Sequence, residues 1–146
     1  TYSTIRKNRN MSKNWVKDIQ DMQYKYGVHK WIHDNKDNTD NLRRYLEFRI
    51  DFLREELDET DAALVSMDAE EIVDGLIDLC VVAIGTLDAF GVDPYKAWDE
   101  ILRANLSKEV GVKPERPNPM GLPDLIKPED WEGPDHSDNH GKLNNI

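Results

Sequence analysis

Apolar side chains recur every three or four positions over four stretches of the chain, the signature of helices that bury one face. The first stretch runs from about Ser12, a candidate N-cap, to Tyr26, with Trp15, Ile19, Met22 and Tyr26 on one side and Gly27 as its stop. From His29 to Asp40 the chain is polar, with Trp31 and Ile32 as its anchors, which predicts a loop or short turn. A longer helix is expected from about Asn41 to Val65, where Leu46, Ile50, Leu53, Leu57 and Leu64 form a stripe suited to bundle packing. Ser66-Met67-Asp68 breaks it, and Asp68 with Glu71 three residues on opens a third helix in the manner of a capping box. That helix reaches about Phe90, ahead of Gly91, and is apolar almost all round from Leu76 onward, so it is predicted to be the central, most buried element. Asp93-Pro94 supplies a cap and a first-turn proline for a fourth helix, with Tyr95, Trp98, Ile101 and Leu102 facing inward and an end near Leu106.

No alternating strand pattern and no internal repeat is present, so the fold class is all-α, a four-helix bundle-type domain. Six of the seven prolines lie between Pro114 and Pro134, which predicts an extended Pro-rich C-terminal tail and not a second domain. Leu122, Leu125 and Trp131 are its expected anchors, and His136 to Ile146 is polar and expected to be mobile. Residues 1–11 read as a disordered arm or tag remnant, since Met11-Ser12-Lys13 would make a native start. The helical domain is then 12–110, and 111–146 is an irregular segment that packs on it or on a partner subunit.

Charge narrows the function classes. With 29 acidic against 19 basic residues the chain carries a net charge of -10, which argues against nucleic acid as a partner. A single cysteine, Cys80, excludes an intrachain disulfide or a cysteine metal cage and fits a reducing cytoplasm. The longest apolar stretch, Leu76 to Leu87, is interrupted by Asp78 and too short to cross a membrane, so no membrane partner is expected and the location is predicted to be cytoplasmic.

Two carboxylate groups stand out. Glu55-Glu56-Leu57-Asp58-Glu59 lies in the second helix, and Glu71, Asp74 and Asp78 lie on the third. Positions three or four apart share a helix face, so Glu56 pairs with Glu59, and Glu71, Asp74 and Asp78 line up. The short break between the helices lets these patches face each other. Opposed carboxylates repel by about 4 kcal/mol per close pair at an effective dielectric near 20. The segment Asn41 to Asp78 holds 12 acidic residues and only 4 arginines to offset this. An oxygen-only ligand set selects a hard cation, Mg²⁺, with Mn²⁺ as substitute. The plainer reading is a solvated acidic face, and it suits Glu55, Asp58 and Asp61. It suits Asp78 less, because a charge within Leu76-Ile77-Asp78-Leu79-Cys80-Val81 needs a metal or an arginine as partner.

Among the aromatic residues, Trp15 and Trp98 have core-like spacing and read as packing residues. Trp31 and Trp131, in irregular segments, are candidates for a base pocket or an inter-subunit contact. His29 and His33 have i, i+4 spacing but no third ligand, so no zinc site is expected.

Glu55-Glu56-x-x-Glu59 followed by Glu71-x-x-Asp74 resembles the paired motifs of the all-α nucleoside triphosphate pyrophosphohydrolases, the superfamily of MazG-like proteins, dimeric dUTPases, dCTPases and phosphoribosyl-ATP pyrophosphohydrolases. Leu46-Glu47-Phe48-Arg49, Phe52-Leu53-Arg54 and Ala104-Asn105-Leu106-Ser107-Lys108 look like the compact MazG-like form found in phages, with a weaker echo from Lys127-Pro128 to Pro134. The 11-residue link between Glu59 and Glu71 is at the short end for such proteins. The resemblance implies that Glu56, Glu59, Glu71 and Asp74 hold Mg²⁺, with Glu56 and Glu59 catalytic. It further implies that Asn105 and Lys108 approach the nucleotide, and Asp78, Trp31 and Lys127 are assigned with them to substrate. The expected activity is conversion of a (deoxy)nucleoside triphosphate to monophosphate and pyrophosphate by a homodimer or homotetramer. Phosphoribosyl-ATP hydrolysis, or a noncatalytic acidic helical adaptor, are the alternatives.

Overall fold

The computed structural model describes residues 11–146, so residues 1–10 of the expected arm lie outside the described residues. Five α-helices follow one another: α1 (Trp15–Lys25), α2 (Val28–Asp34), α3 (Thr39–Val65), α4 (Ala69–Ala89) and α5 (Pro94–Leu106). Two three-residue strands, β1 (Glu109–Gly111) and β2 (Asp124–Ile126), and a terminal 3-10 turn (Gly141–Asn145) complete the chain. The fold is all-α, as its periodicity predicts.

Local chemistry sets most helix ends. Asn14, and not Ser12, caps α1 by accepting from the Lys17 N–H at 3.0 Å. Asn38 caps α3, Asp68 caps α4 through the Glu71 N–H, and Asp93 caps α5 ahead of Pro94. The α3–α4 break is tight because Met67 adopts a left-handed backbone, φ 56°. The segment expected as a loop after Gly27 contains α2 instead. Its N-cap, Gly27, has no side chain to announce the helix, and its buried anchor is the single Ile32.

The helices α3 and α4 form an antiparallel hairpin in which Thr60 lies opposite Gly75 and Arg49 reaches Val82 and Thr86. Gly75 is required there: a Cβ added to it would stand 2.2 Å from Thr60 Oγ1. Packing is concentrated at the base of the hairpin, where Ile32, Leu42, Ala89 and Phe90 are buried and are joined by Tyr45, Leu46, Leu143 and Ile146. The N-terminal half of α4 is not the most buried element that its composition predicts. Val73, Leu76 and Ile77 are 63%, 52% and 44% exposed, and Leu57 and Leu64 of α3 are exposed with them. Among the described residues no single helix is long and apolar enough to cross a membrane.

The Pro-rich segment is tied down along its length. β1 and β2 pair antiparallel with Glu109 opposite Ile126 and Gly111 opposite Asp124. The chain then runs back along α5: Arg103 donates to Gly133 O, the Asp135 N–H donates to Glu100, Lys96 pairs with Asp138, and Asn139 bridges both backbone groups of Asp93. The stretch expected to be mobile from His136 ends against the core, the Lys142 N–H donating to Phe90 O at 2.7 Å.

Candidate active site

The hairpin carries Glu56 and Glu59 on α3 and Asp74 and Asp78 on α4, each pair on one face. The close crossing of Thr60 and Gly75 brings the faces together, and Thr60 Oγ1 is itself held by donating to Glu56 O at 2.8 Å. Their mutual effect is visible in proton affinity. Partial burial, with the charges of Glu59, Asp78, Glu55 and Asp74, raises the Glu56 carboxyl above its usual range. Burial likewise raises Asp78, and the charge of Asp74, one helical turn before it, adds to the shift.

Among the described residues no cation relieves this crowding. Arg54 turns to Asp51, Arg44 to Asp40, and Arg49 to Thr86 Oγ1 and Val82 O. Among the described residues no Lys, Arg or His pairs with Glu56, Glu59, Asp74 or Asp78. An all-carboxylate donor set without an internal counter-charge fits a hard divalent ion. Among the described residues no three such groups already stand at ligating separation, so gripping an ion would draw the carboxylates inward.

The other expected site residues are spread out. Glu71 lies one turn nearer the hairpin tip than Asp74, where it is exposed and its N–H is taken by the Asp68 cap. Trp31 lies on α2 with its ring 5.3 Å from Tyr45, so it is about 16 Å along α3 from the level of Glu56. Asn105 is half-buried near the end of α5, its carbonyl taking the Lys108 N–H at 3.2 Å. Lys108 and Lys127 both lie over the ring of Trp131, at 5.1 and 5.0 Å from its centroid.

Trp15 and Trp98 are 51% and 58% exposed and are not packed into the core as their spacing predicts. They line an apolar cavity of about 900 Å³ with Ile84, Leu87 and Tyr95, apart from the four carboxylates. Sequence spacing also missed the buried pair of His29 Nε2 and Asp88 Oδ2, 2.7 Å apart at the α1–α2–α4 junction. An aspartate within Leu87-Asp88-Ala89-Phe90 was the available signal, the one that singled out Asp78.

Residues 26–105, more than half of the chain and the span that holds both carboxylate pairs, match the family described as Phosphoribosyl-ATP pyrophosphohydrolase. The chain belongs to this family. It is therefore a member of the MazG-like superfamily, in keeping with its all-helical fold, and a pyrophosphohydrolase-type enzyme acting on the acid anhydride of a nucleotide. No curated protein and no solved structure matches the chain. The family match ends at Asn105, so Lys108, Lys127 and Trp131 lie outside it.

Proposed function

We propose that this chain is a Mg²⁺-dependent pyrophosphohydrolase that converts (deoxy)nucleoside triphosphates to monophosphates and pyrophosphate. The observation that carries the reading is the meeting of Glu56, Glu59, Asp74 and Asp78 across the hairpin, with no cation paired to them among the described residues, in a chain of this family. Glu56, Glu59 and Asp74 would hold the ion, with Glu71 reaching it from the next turn. Bound Mg²⁺, or Mn²⁺ in its place, would supply neutralising charge for the phosphoryl oxygens and a more acidic water. The raised proton affinity of Glu56 suits it to take the proton of the attacking water as the anhydride bond breaks and pyrophosphate departs.

Phosphoribosyl-ATP is the second reading for the substrate, favoured by the family's own description, and it requires cleavage of the same kind of bond. The test is hydrolysis of each common ribo- and deoxyribonucleoside triphosphate and of phosphoribosyl-ATP with Mg²⁺, with the products resolved. Pyrophosphate release stopped by chelator and by Glu56→Ala is expected. Turnover of phosphoribosyl-ATP alone would select the second reading. Binding of a basic protein without hydrolysis of any substrate would return the adaptor.

The reading includes a second copy of the chain. Leu57, Leu64, Val73, Leu76 and Ile77 leave a large apolar surface on the same hairpin, more than an isolated helix pair is expected to leave in water. Sedimentation equilibrium at micromolar concentration is expected to give a dimer or tetramer, and a monomer would refute this part of the proposal.

A further inference from the structure

The apolar cavity of about 900 Å³ is bounded by α1, the end of α4, α5 and the C-terminal segment. Ile84, Leu87, Val92 and Leu143 are the buried or half-buried part of its lining, and the rings of Trp15, Tyr95 and Trp98 are its half-exposed part. A volume of this order is that of a small-molecule site. The bounding segments are joined directly to one another. Tyr95 Oη donates to Asn14 Oδ1 at 2.7 Å, Asn139 holds both backbone groups of Asp93, and the Lys142 N–H donates to Phe90 O. A cavity braced in this way binds without first ordering its own walls. Leu87 follows Asp78 by nine residues, about 180° around α4 and about 13 Å along it, so the cavity lies on the other side of that helix from the carboxylates.

Charge sets the cavity apart from the rest of the chain. The 29 acidic residues give a net charge of -10, yet no carboxylate lines it, and its titratable members are Lys13, Tyr95, His136 and His140. The nearest acidic residues in sequence are engaged elsewhere: Asp93 caps α5, Asp135 takes the Ser137 N–H, and Asp138 pairs with Lys96. Among the described residues Lys13 makes no ion pair, and His140 Nδ1 lies 3.1 Å from Asn144 Oδ1, which leaves its Nε2 without a partner there. Lys13 and His140 are exposed, so the cationic end of the cavity opens to solvent while the apolar end is enclosed around Val92. An apolar interior with an ammonium group at its mouth is complementary to an amphipathic anion. Residues 1–10, the nearest segment of the chain itself, are the wrong occupant by charge, since they carry Arg6, Lys7 and Arg9 and no acidic residue.

We propose that this cavity binds an amphipathic carboxylate, a free medium-chain fatty acid in size and charge. Its apolar body lies against Leu87, Trp15 and Trp98, and its carboxylate meets Lys13 beside His136 and His140. The site is separate from the hydrolytic one and does not rest on the function proposed above.

Calorimetric titration of the full chain with sodium hexanoate, octanoate and decanoate tests it, with 1-octanol as the uncharged counterpart. Affinity is expected to rise about fourfold for each added methylene, the value of burying one CH₂, and octanoate is expected to bind more tightly than 1-octanol. Lys13→Gln is expected to weaken octanoate about fivefold, the upper value for an exposed charge pair, and to leave 1-octanol unchanged. Lys13→Arg is expected to keep octanoate binding, and Lys113→Gln, at the β1–β2 ladder, to change neither ligand. Trp98→Ala replaces a half-exposed side chain and is expected to weaken acid and alcohol alike. Absence of octanoate binding, an affinity independent of chain length, or equal binding of acid and alcohol would overturn the proposal. Complete displacement of octanoate by a nonhydrolysable nucleoside triphosphate would also overturn it, by giving the cavity to the substrate. Dissociation of an oligomer by Trp98→Ala, read by sedimentation, would overturn it by giving the cavity to a second copy. Hydrolysis assays succeed or fail independently of these titrations.

Discussion

Replacing Gly75 with alanine tests whether the hairpin crossing sets the geometry of the carboxylate cluster. The new methyl would stand 2.2 Å from Thr60 Oγ1 and 3.2 Å from Thr60 Cβ, whereas comfortable contact is about 3.5 Å or more. Either the helices separate by about 1 Å or Thr60 turns and gives up its bond to Glu56 O. Overpacking of this kind costs about 1–3 kcal/mol. Alanine regains about 1 kcal/mol over glycine inside a helix, which leaves a net loss between nearly zero and about 2 kcal/mol. The functional effect is expected to be larger, because a 1 Å displacement at a reacting centre can cost about a hundredfold in rate. Urea denaturation of Gly75→Ala with and without Mg²⁺, together with pyrophosphate release, separates the two effects. Thr60→Ala added to Gly75→Ala removes the nearest obstructing atom and is expected to recover at least half of the lost stability, a coupling of about 0.5–2 kcal/mol. A variant that gains about 1 kcal/mol and keeps its Mg²⁺ response would show that the crossing does not govern the site.

Asp78→Asn removes one of the mutually repelling charges, and is expected to stabilise the metal-free protein by up to about 1 kcal/mol while reducing the rise in melting temperature on adding Mg²⁺. A fall in metal-free stability would refute the repulsion. Glu56 and Asp78 bind protons more readily in the folded chain than in the unfolded one, so in metal-free solution their contribution to stability declines as pH rises from the ordinary carboxylate range through their raised values. The α5 seam has the opposite sign. Glu100 is held below its usual range by the Asp135 N–H and then Arg103, Asp135 by the Ser137 N–H, and Asp138 by Lys96. Their contribution is present above the ordinary range and is lost as pH falls through the depressed values. Amide exchange is therefore expected to speed up selectively over residues 133–139 at acid pH, and uniform exchange would contradict it. Met67→Gly relieves the left-handed backbone at the hairpin tip and is expected to raise stability by up to about 1 kcal/mol in urea denaturation; a loss would mean that Met67 carries no strain.

The helices that declared themselves in the sequence are those whose ends are made by their own neighbours: Asp68 before α4, and Asp93-Pro94 before α5. The helix α2 did not, since Gly27 caps it without a side chain and Ile32 alone is buried. The carboxylate pairs were legible because i, i+3 and i, i+4 spacing is a property of one helix. Which pairs meet depends on the phase of α3 against α4, and that is set by Thr60 and Gly75, neither of which has a periodic signal. Asp74 and Asp78 accordingly meet Glu56, while Glu71 lies one turn away. The course of the Pro-rich segment was hidden for a similar reason. It is held by bonds such as Arg103 to Gly133 O and Trp131 to Ala104 O, each joining one side chain to one remote carbonyl.

The seating of Leu143 and Ile146 against Ile32, Leu42, Ala89 and Phe90 also bears on the order in which the molecule is assembled during synthesis. The α3–α4 hairpin is built from contacts close in sequence and can form on a nascent chain, since such contacts close quickly. The base of the core is different, because Leu143 and Ile146 must return across more than fifty residues to reach Phe90 and farther still to reach Ile32. Until Leu143 and Ile146 have left the ribosome the base stays uncovered, and the tip of the hairpin carries its own exposed leucines and valines. The interval between hairpin formation and the emergence of Leu143 and Ile146 is thus when this protein presents most apolar surface, and when a chaperone or a second nascent copy would meet it.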